Sequence, residues 1–217
     1  MLCIKTGMQS EYSVAKRYAD PSVLVLTGEY TATTLETAVP QNCAGIISFG
    51  LCGELAGDTI GQAFIYDTVD TPDGTFVCDV AWRLRLFHVT HYYEAHCWSS
   101  GQFNTANTIT ERAALYAQTG CRLIDDETYA VAQFAKQRSI PFIGLRVVSD
   151  GAEDNLPPAV LDALNPNGTD NIAAVLHSLI DDPLQLPALI KTAGEFDFAI
   201  RELNRAIIDA GPLLQAP

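Results

Sequence analysis

The sequence predicts an α/β fold, a central sheet with helices on both faces. Short β-branched runs alternate with helical stretches through residues 2–150, the rhythm of a sheet covered on both sides. The length of 217 residues suits one domain with one sizeable core. From about Asn155 onward the chain changes character, with Pro157, Pro158, Pro166, Pro183 and Pro187 punctuating helical segments.

The elements follow in order. LCIKT (2–6) is the first strand and SEYSVAKRYA (10–19) the first helix. VLVLT (23–27) is the second strand, followed by a polar segment to Val39. AGIISFG (44–50) is the third, and QAFIYDTV (62–69) the fourth, leading towards Cys78. HYYEAHCWSS (91–100) reads as a strand, TITERAALYAQTG (108–120) as a helix closed by Gly120, and CRLID (121–125) as a strand. DETYAVAQFAKQRS (126–139) is a helix, because Tyr129, Val131, Ala132, Phe134 and Ala135 fit a buried helical face better than a two-residue alternation. IPFIGLRVVSD (140–150) is another central strand. In the last helix Leu189, Ala193, Phe196, Ile200, Leu203 and Ile207 recur at alternating four- and three-residue spacing, one apolar stripe of the kind that packs into a core.

Charge and composition narrow the function. A net charge of -13 argues against a nucleic-acid surface, which needs clustered Lys and Arg to displace counterions. Small molecules or other subunits are the expected partners. No apolar run has the length of a membrane span, and the start MLCIKTGMQSEY lacks a basic segment followed by a long apolar one, so a soluble, cytoplasmic protein is expected. The six cysteines are scattered without a CxxC pair and read as reduced core residues.

IDDET (124–128) places three acids in a row where a strand gives way to a helix. The free amides of a helix start favour one anion as a cap. Three are more than a cap requires. TGMQSE (6–11), ISFGLCGEL (47–55) and LRVVSD (145–150) also lie at strand ends, and ligands of open α/β sheets gather outside the carboxyl ends of strands.

Four signatures in this order, GM-x-x-E (Gly7 to Glu11), SFG-x-x-G (Ser48 to Gly53), D-x-E (Asp125 to Glu127) and the closing Ser149-Asp150, resemble the purine nucleoside phosphorylase and methylthioadenosine/adenosylhomocysteine nucleosidase superfamily. The resemblance covers most of residues 2–154 and implies a three-layer α/β/α sandwich with a central mixed, twisted sheet, in a single domain of residues 1–217 whose part from about 155 is helical. It implies that Glu127 holds the ribose 2′- and 3′-hydroxyls and that Asp150 gives a proton to, or shares one with, purine N7. Glu11 would orient the nucleophile. Gly50 and Gly53 would let backbone approach the nucleoside, with Cys52 between them and Asp126 beside Glu127 lining the site. Phe103 would stack on the base, and the backbone of Asn104 would read its edge. A homo-oligomer is expected on the same ground, with phosphate as co-substrate and no other cofactor.

The chemistry suits these residue types. Breaking a purine N-ribosidic bond builds positive charge on the sugar and negative charge on the base, which a carboxylate and an acid respectively stabilise. To hand over a proton, Asp150 needs burial or neighbouring acids. Two departures stand out: Asp126 replaces the usual Met, and Cys52-Gly53-Glu54 replaces Ala-Gly-Gly, with Glu54 either closing the site or pointing outward. The candidate phosphate-binding cations are Lys16, Arg17 and Arg146, and a structural ion pair suits Arg146 better.

The C-terminal part, DGAEDNLPPAVLDALNPNGTDN followed by VLHSLIDDPLQLPALIKTAGEFDFAIRELNRA, is similar to the hopanoid-biosynthesis-associated phosphorylases, which implies phosphorolytic release of adenine from adenosylhopane, a lipid-linked adenosine. Hydrolysis of the nucleosidase type and a catalytically silent nucleoside-binding module are the alternatives. His88, His91, His96 and Cys97 have the residue types of a metal site, but on a strand positions 88 and 91 face apart, so no metal is expected unless the segment is helical.

Overall fold

The computed structural model describes residues 1–102, 105–163, 165 and 167–211. Eight strands form one mixed sheet: β1 (Leu2–Thr6), β2 (Leu24–Thr27), β3 (Gly45–Glu54), β4 (Ala63–Thr71), β5 (Gly74–Val77), β6 (Tyr93–Trp98), β7 (Leu123–Ile124) and β8 (Phe142–Asp150). β1 runs parallel to β2 on one side and β3 on the other, and β3 runs parallel to β8. β4 is antiparallel to β8 and β5 and parallel to β6. β6 pairs in parallel with β7, which pairs antiparallel with the end of β3. The sheet thus closes through β3, β8, β4, β6 and β7.

That closure fixes the site. At the end of β3, Gly53 pairs with Asp150 of β8 on one side and with Ile124 of β7 on the other, just after an irregularity between Cys52 and Gly53. The acids that follow Ile124 are therefore delivered next to Asp150.

The helices are α1 (Gln9–Tyr18), α2 (Ala32–Ala38), α3 (Val80–Thr90), α4 (Ile109–Thr119), α5 (Thr128–Arg138), α6 (Pro158–Leu161), α7 (Ile172–Asp181) and α8 (Leu186–Ala210). α8 packs on β3, β4 and β8 beside α1 and α3, while α5 packs on the same three strands beside α2, giving the two helical layers of the sandwich. The C-terminal stripe is core from Ala199 on: Leu203 and Ile207 are buried and Phe196 and Ile200 pack against the core, whereas Ala193 is exposed. All six cysteines are buried and free. No helix among the described residues is long and apolar enough to cross a membrane.

Three segments differ from the sequence reading. Val80–Thr90 is a helix, because Asp79 caps it by accepting the Trp82 amide at 2.8 Å and Trp82 and Leu86 recur at helical spacing on its buried face. His88 therefore lies on a helix and His91 is its left-handed C-cap. The segment before α3 folds back as β5. α5 begins at Thr128, two residues later than the pattern suggests, because Asp126 and Glu127 stay outside it.

Candidate active site

Of the three consecutive acids, Asp125 is the structural one. Its Oδ1 accepts the amides of Glu127 (3.1 Å) and Thr128 (2.7 Å), so it, and not the residue next to the helix, satisfies the open end of α5. Its Oδ2 accepts from the Thr128 hydroxyl at 2.6 Å and from Tyr66 at 2.8 Å. Burial alone would raise its carboxyl, but the Arg146 guanidinium and these hydrogen bonds outweigh it and hold Asp125 below the ordinary range. With Asp125 fixed, Asp126 and Glu127 project from the turn.

Glu127 Oε2 accepts Arg146 Nη1 at 2.9 Å. Arg146, fully buried on β8, also donates to Ser48 Oγ (2.6 Å) and the Leu51 carbonyl (2.9 Å), and its charge is locked on by Asp125, Glu127 and Glu11 despite burial. The ion pair expected for Arg146 is present. Lys16 and Arg17 are exposed in the last turn of α1.

Glu11 is buried in the first turn of α1. Oε2 accepts the amides of Gly7 (2.8 Å) and Met8 (2.9 Å), and Oε1 accepts the Leu51 amide at 2.7 Å. Burial, aided by the Glu127 charge, still raises its carboxyl above the ordinary value, against the pull of Arg146 and the amides. Gly50 and Gly53 serve this arrangement more directly than expected. A Cβ on Gly50 would lie 2.3 Å from Glu11 Oε1, and one on Gly53 would lie 2.8 Å from Asp150 Oδ2. Both glycines make room for the acids themselves.

Asp150 ends β8. Its Oδ1 accepts the Ser149 hydroxyl at 2.6 Å, and its Oδ2 is ion-paired with Arg112 Nη2. The sequence reading asks for burial or neighbouring acids at Asp150; its ion-pair partner is a buried cation. Arg112, 1% exposed on α4, also donates through Nη1 to the carbonyls of Gly151 (2.6 Å) and Glu54 (3.2 Å). Sequence reasoning missed it because α4 looks like an ordinary surface helix, and only its polar face turned towards the end of β3 gives it a role.

A cavity of about 180 Å3 gathers Glu11, Asp125, Asp126, Glu127, Asp150 and Arg112, with Cys52 and Gly53 also in its wall. Burial and the Asp125 charge push the Cys52 thiol up, so it presents a neutral wall. Thr105 donates to Asp126 at 3.2 Å. Glu54 is fully buried outside the lining of this cavity, accepting Arg122 at 2.9 Å and the Thr59 hydroxyl at 2.7 Å. Phe103 and Asn104 lie outside the described residues. Of the segment after residue 154, Leu156 is the described residue that reaches this cavity.

Residues 25–181 match the phosphorylase superfamily. No curated protein matches the chain. Among solved structures, the 5′-methylthioadenosine/S-adenosylhomocysteine nucleosidase from Neisseria meningitidis, bound to methylthio-immucillin-A, superposes with a TM-score of 0.66 at 13% identity over 96% of each chain. The corresponding nucleosidase from Helicobacter pylori gives 0.63 at 11% identity, over 95% of this chain and 97% of its own. The futalosine hydrolase of Helicobacter pylori gives 0.61 at 15% identity, over 83% of this chain and 97% of its own. These likenesses show the same fold.

Proposed function

The chain belongs to the phosphorylase superfamily, and from that premise we propose that it is an enzyme cleaving the N-ribosidic bond of an adenosine-type nucleoside, with water as the acceptor of the ribosyl group. One observation carries the choice of water. Five carboxylates line the cavity, and the cation among its described lining residues, Arg112, is already paired with Asp150. Such a site suits a cationic sugar and repels a phosphate dianion. Phosphorolysis, the outcome implied by the likeness to the hopanoid-associated phosphorylases, asks for cations that Arg146, held by Glu127 and Ser48, and the exposed Lys16 and Arg17 do not offer.

In this reading Glu127 accepts the ribose 2′- and 3′-hydroxyl protons, as an acceptor-only carboxylate with Arg146 behind it. The C1′–N9 bond breaks with its electron pair going to the base. Asp150 shares the proton that N7 gains, with Arg112 balancing the charge. Glu11 takes a proton from the water whose oxygen bonds to C1′, and its raised carboxyl places it closer to the working pH of a general base. N7 takes its proton from solvent, Glu11 afterwards returns to solvent the proton it took from water, and the net result is hydroxyl on C1′ and a proton on the base. The solved neighbours named as nucleosidases and as a hydrolase support the same class of reaction.

Incubating the protein with adenosine and 5′-methylthioadenosine and following free adenine by chromatography tests the reading. Adenine release supports it, and tight nucleoside binding without release makes the protein a silent binding module instead.

A further inference from the structure

α7 buries none of its residues although it is an apolar helix. Ile172, Leu176 and Ile180 recur every four residues on one face and are all more than half exposed. The helix packs mainly on α6 and on the 3-10 turn Pro183–Gln185 that follows it. That turn is fixed, because the buried Gln185 accepts the Ala159 amide at 2.9 Å and donates to the Ser178 carbonyl at 2.7 Å. Beyond it Leu184, Leu186 and Ile190 carry the exposed row on to the start of α8. Together the six side chains present on the order of 800 Å2 of apolar surface, above the roughly 300–600 Å2 of the largest patch on an ordinary monomer and equal to what one partner gives a standard interface.

Charge and spacing say what covers this face. From Ile172 to Ile190 the chain holds no Lys or Arg, and its acids are Asp181, against His177 at 3.1 Å, and Asp182. A helix that lies on a membrane uses Lys and Arg beside its apolar face to meet anionic headgroups, so this face fits protein and not lipid. It is also its own complement. Ile172 and Ile180 are evenly spaced about Leu176, so a second copy laid antiparallel sets Leu176 against Leu176 and Ile172 against Ile180 twice, as a two-fold contact requires. The same alignment brings Asp181 to the N-terminal end of the facing helix, where free amides favour an acid. We propose that the face formed by α7 and the start of α8 binds a second copy of this chain about a two-fold axis near Leu176. The contact bears on the candidate active site, because the residues just before α7 rest on the turn between β1 and α1: the Gln9 amide donates to the Gly168 carbonyl at 2.8 Å, and a Cβ on Gly168 would lie 2.4 Å from the Gly7 carbonyl oxygen. Amides of that turn hold Glu11.

The test is the mass of the particle in solution, by light scattering and sedimentation velocity over a wide range of concentration, at a salt that screens repulsion between two chains of net charge -13. Leu176→Glu and Ile180→Glu change exposed side chains, so both variants should fold, which circular dichroism checks, and each should halve the mass of the intact particle. Leu176→Cys lies near the proposed axis in a chain whose own cysteines are all buried, and a short bismaleimide should join it to a second copy. Gln137→Cys, exposed on α5 in the opposite helical layer, should not be joined. A folded Leu176→Glu, Ile180→Glu double variant with the mass of the intact particle overturns the proposal, and so does an intact protein that stays monomeric at every concentration. Flotation with neutral and with anionic vesicles tests the other occupant. Intact protein that floats with either, and loses this in Leu176→Glu while its mass in solution is unchanged, overturns the second copy and makes the face a membrane contact.

Discussion

Glu11 fills the space that a side chain on Gly50 would need, its Oε1 lying 2.3 Å and its Oε2 2.7 Å from where a Cβ would be. The same relation recurs twice, since a Cβ on Gly7 would lie 2.2 Å from Glu127 Oε1 and one on Gly53 2.8 Å from Asp150 Oδ2. Three glycines at or near the ends of β1 and β3 thus make room for the three acids assigned to the chemistry. Gly50→Ala adds a clash with a buried carboxylate at a φ of +155°, and a cost of about 1–3 kcal/mol is expected. Urea unfolding reads that loss, and displacement of Glu11 should lower turnover at least about tenfold. Wild-type stability and turnover together in Gly50→Ala contradict this account.

Asp150→Asn leaves the buried Arg112 guanidinium without its charge partner, so the variant should lose stability as well as turnover, by about 3 kcal/mol for a fully buried pair and less here because Asp150 is partly exposed. Turnover should fall about a hundredfold or more, the size of a lost proton-transfer group. Adding Arg112→Gln should recover stability without recovering turnover. A double variant as unstable as the sum of its parts contradicts the pairing.

Glu127→Gln keeps the shape of the side chain and removes its charge. Adenosine should bind about tenfold more weakly, while a 2′,3′-dideoxy analogue, which lacks the hydroxyls that donate to Glu127, should change less. Equal losses for the two ligands, measured by calorimetry, reject the sugar-holding role.

The buried acids predict a pH dependence of opposite sign on the two sides. Glu11 is raised above the ordinary glutamate value of 4.5, so the folded state holds its proton more tightly than the unfolded chain, and this group's contribution to stability declines as pH rises through its raised value. Asp125 is lowered below 3.8, so its contribution is present above that value and lost as pH falls through the lowered one. Because Glu11 must be ionised to take a proton from water, the acid limb of kcat/KM should lie above pH 4.5. An acid limb at or below that value contradicts the assignment of Glu11.

Much of this architecture is legible in the sequence because strand periodicity and strand-end motifs are local. β1, β3 and β8 form where the sequence puts strands, although β3 runs beyond Gly50 to Glu54, and Glu11, Glu127 and Asp150 lie in the first turn of α1, just before α5 and at the end of β8. Arg112 is not legible, since its partners Asp150, Gly151 and Glu54 come from two other strand ends brought together by closure of the sheet. α3 was readable: Asp79 followed by Trp82 and Leu86 is a cap and a helical stripe, masked by the aromatic and β-branched residues around them.

The most direct test of water as acceptor is cleavage of an adenosine-type nucleoside in 18O-labelled water across a phosphate titration, with mass analysis of the sugar. The account predicts free sugar carrying one 18O at C1 and a rate of adenine release indifferent to phosphate. A sugar 1-phosphate that appears in proportion to phosphate, at a rate that rises with it, contradicts the account.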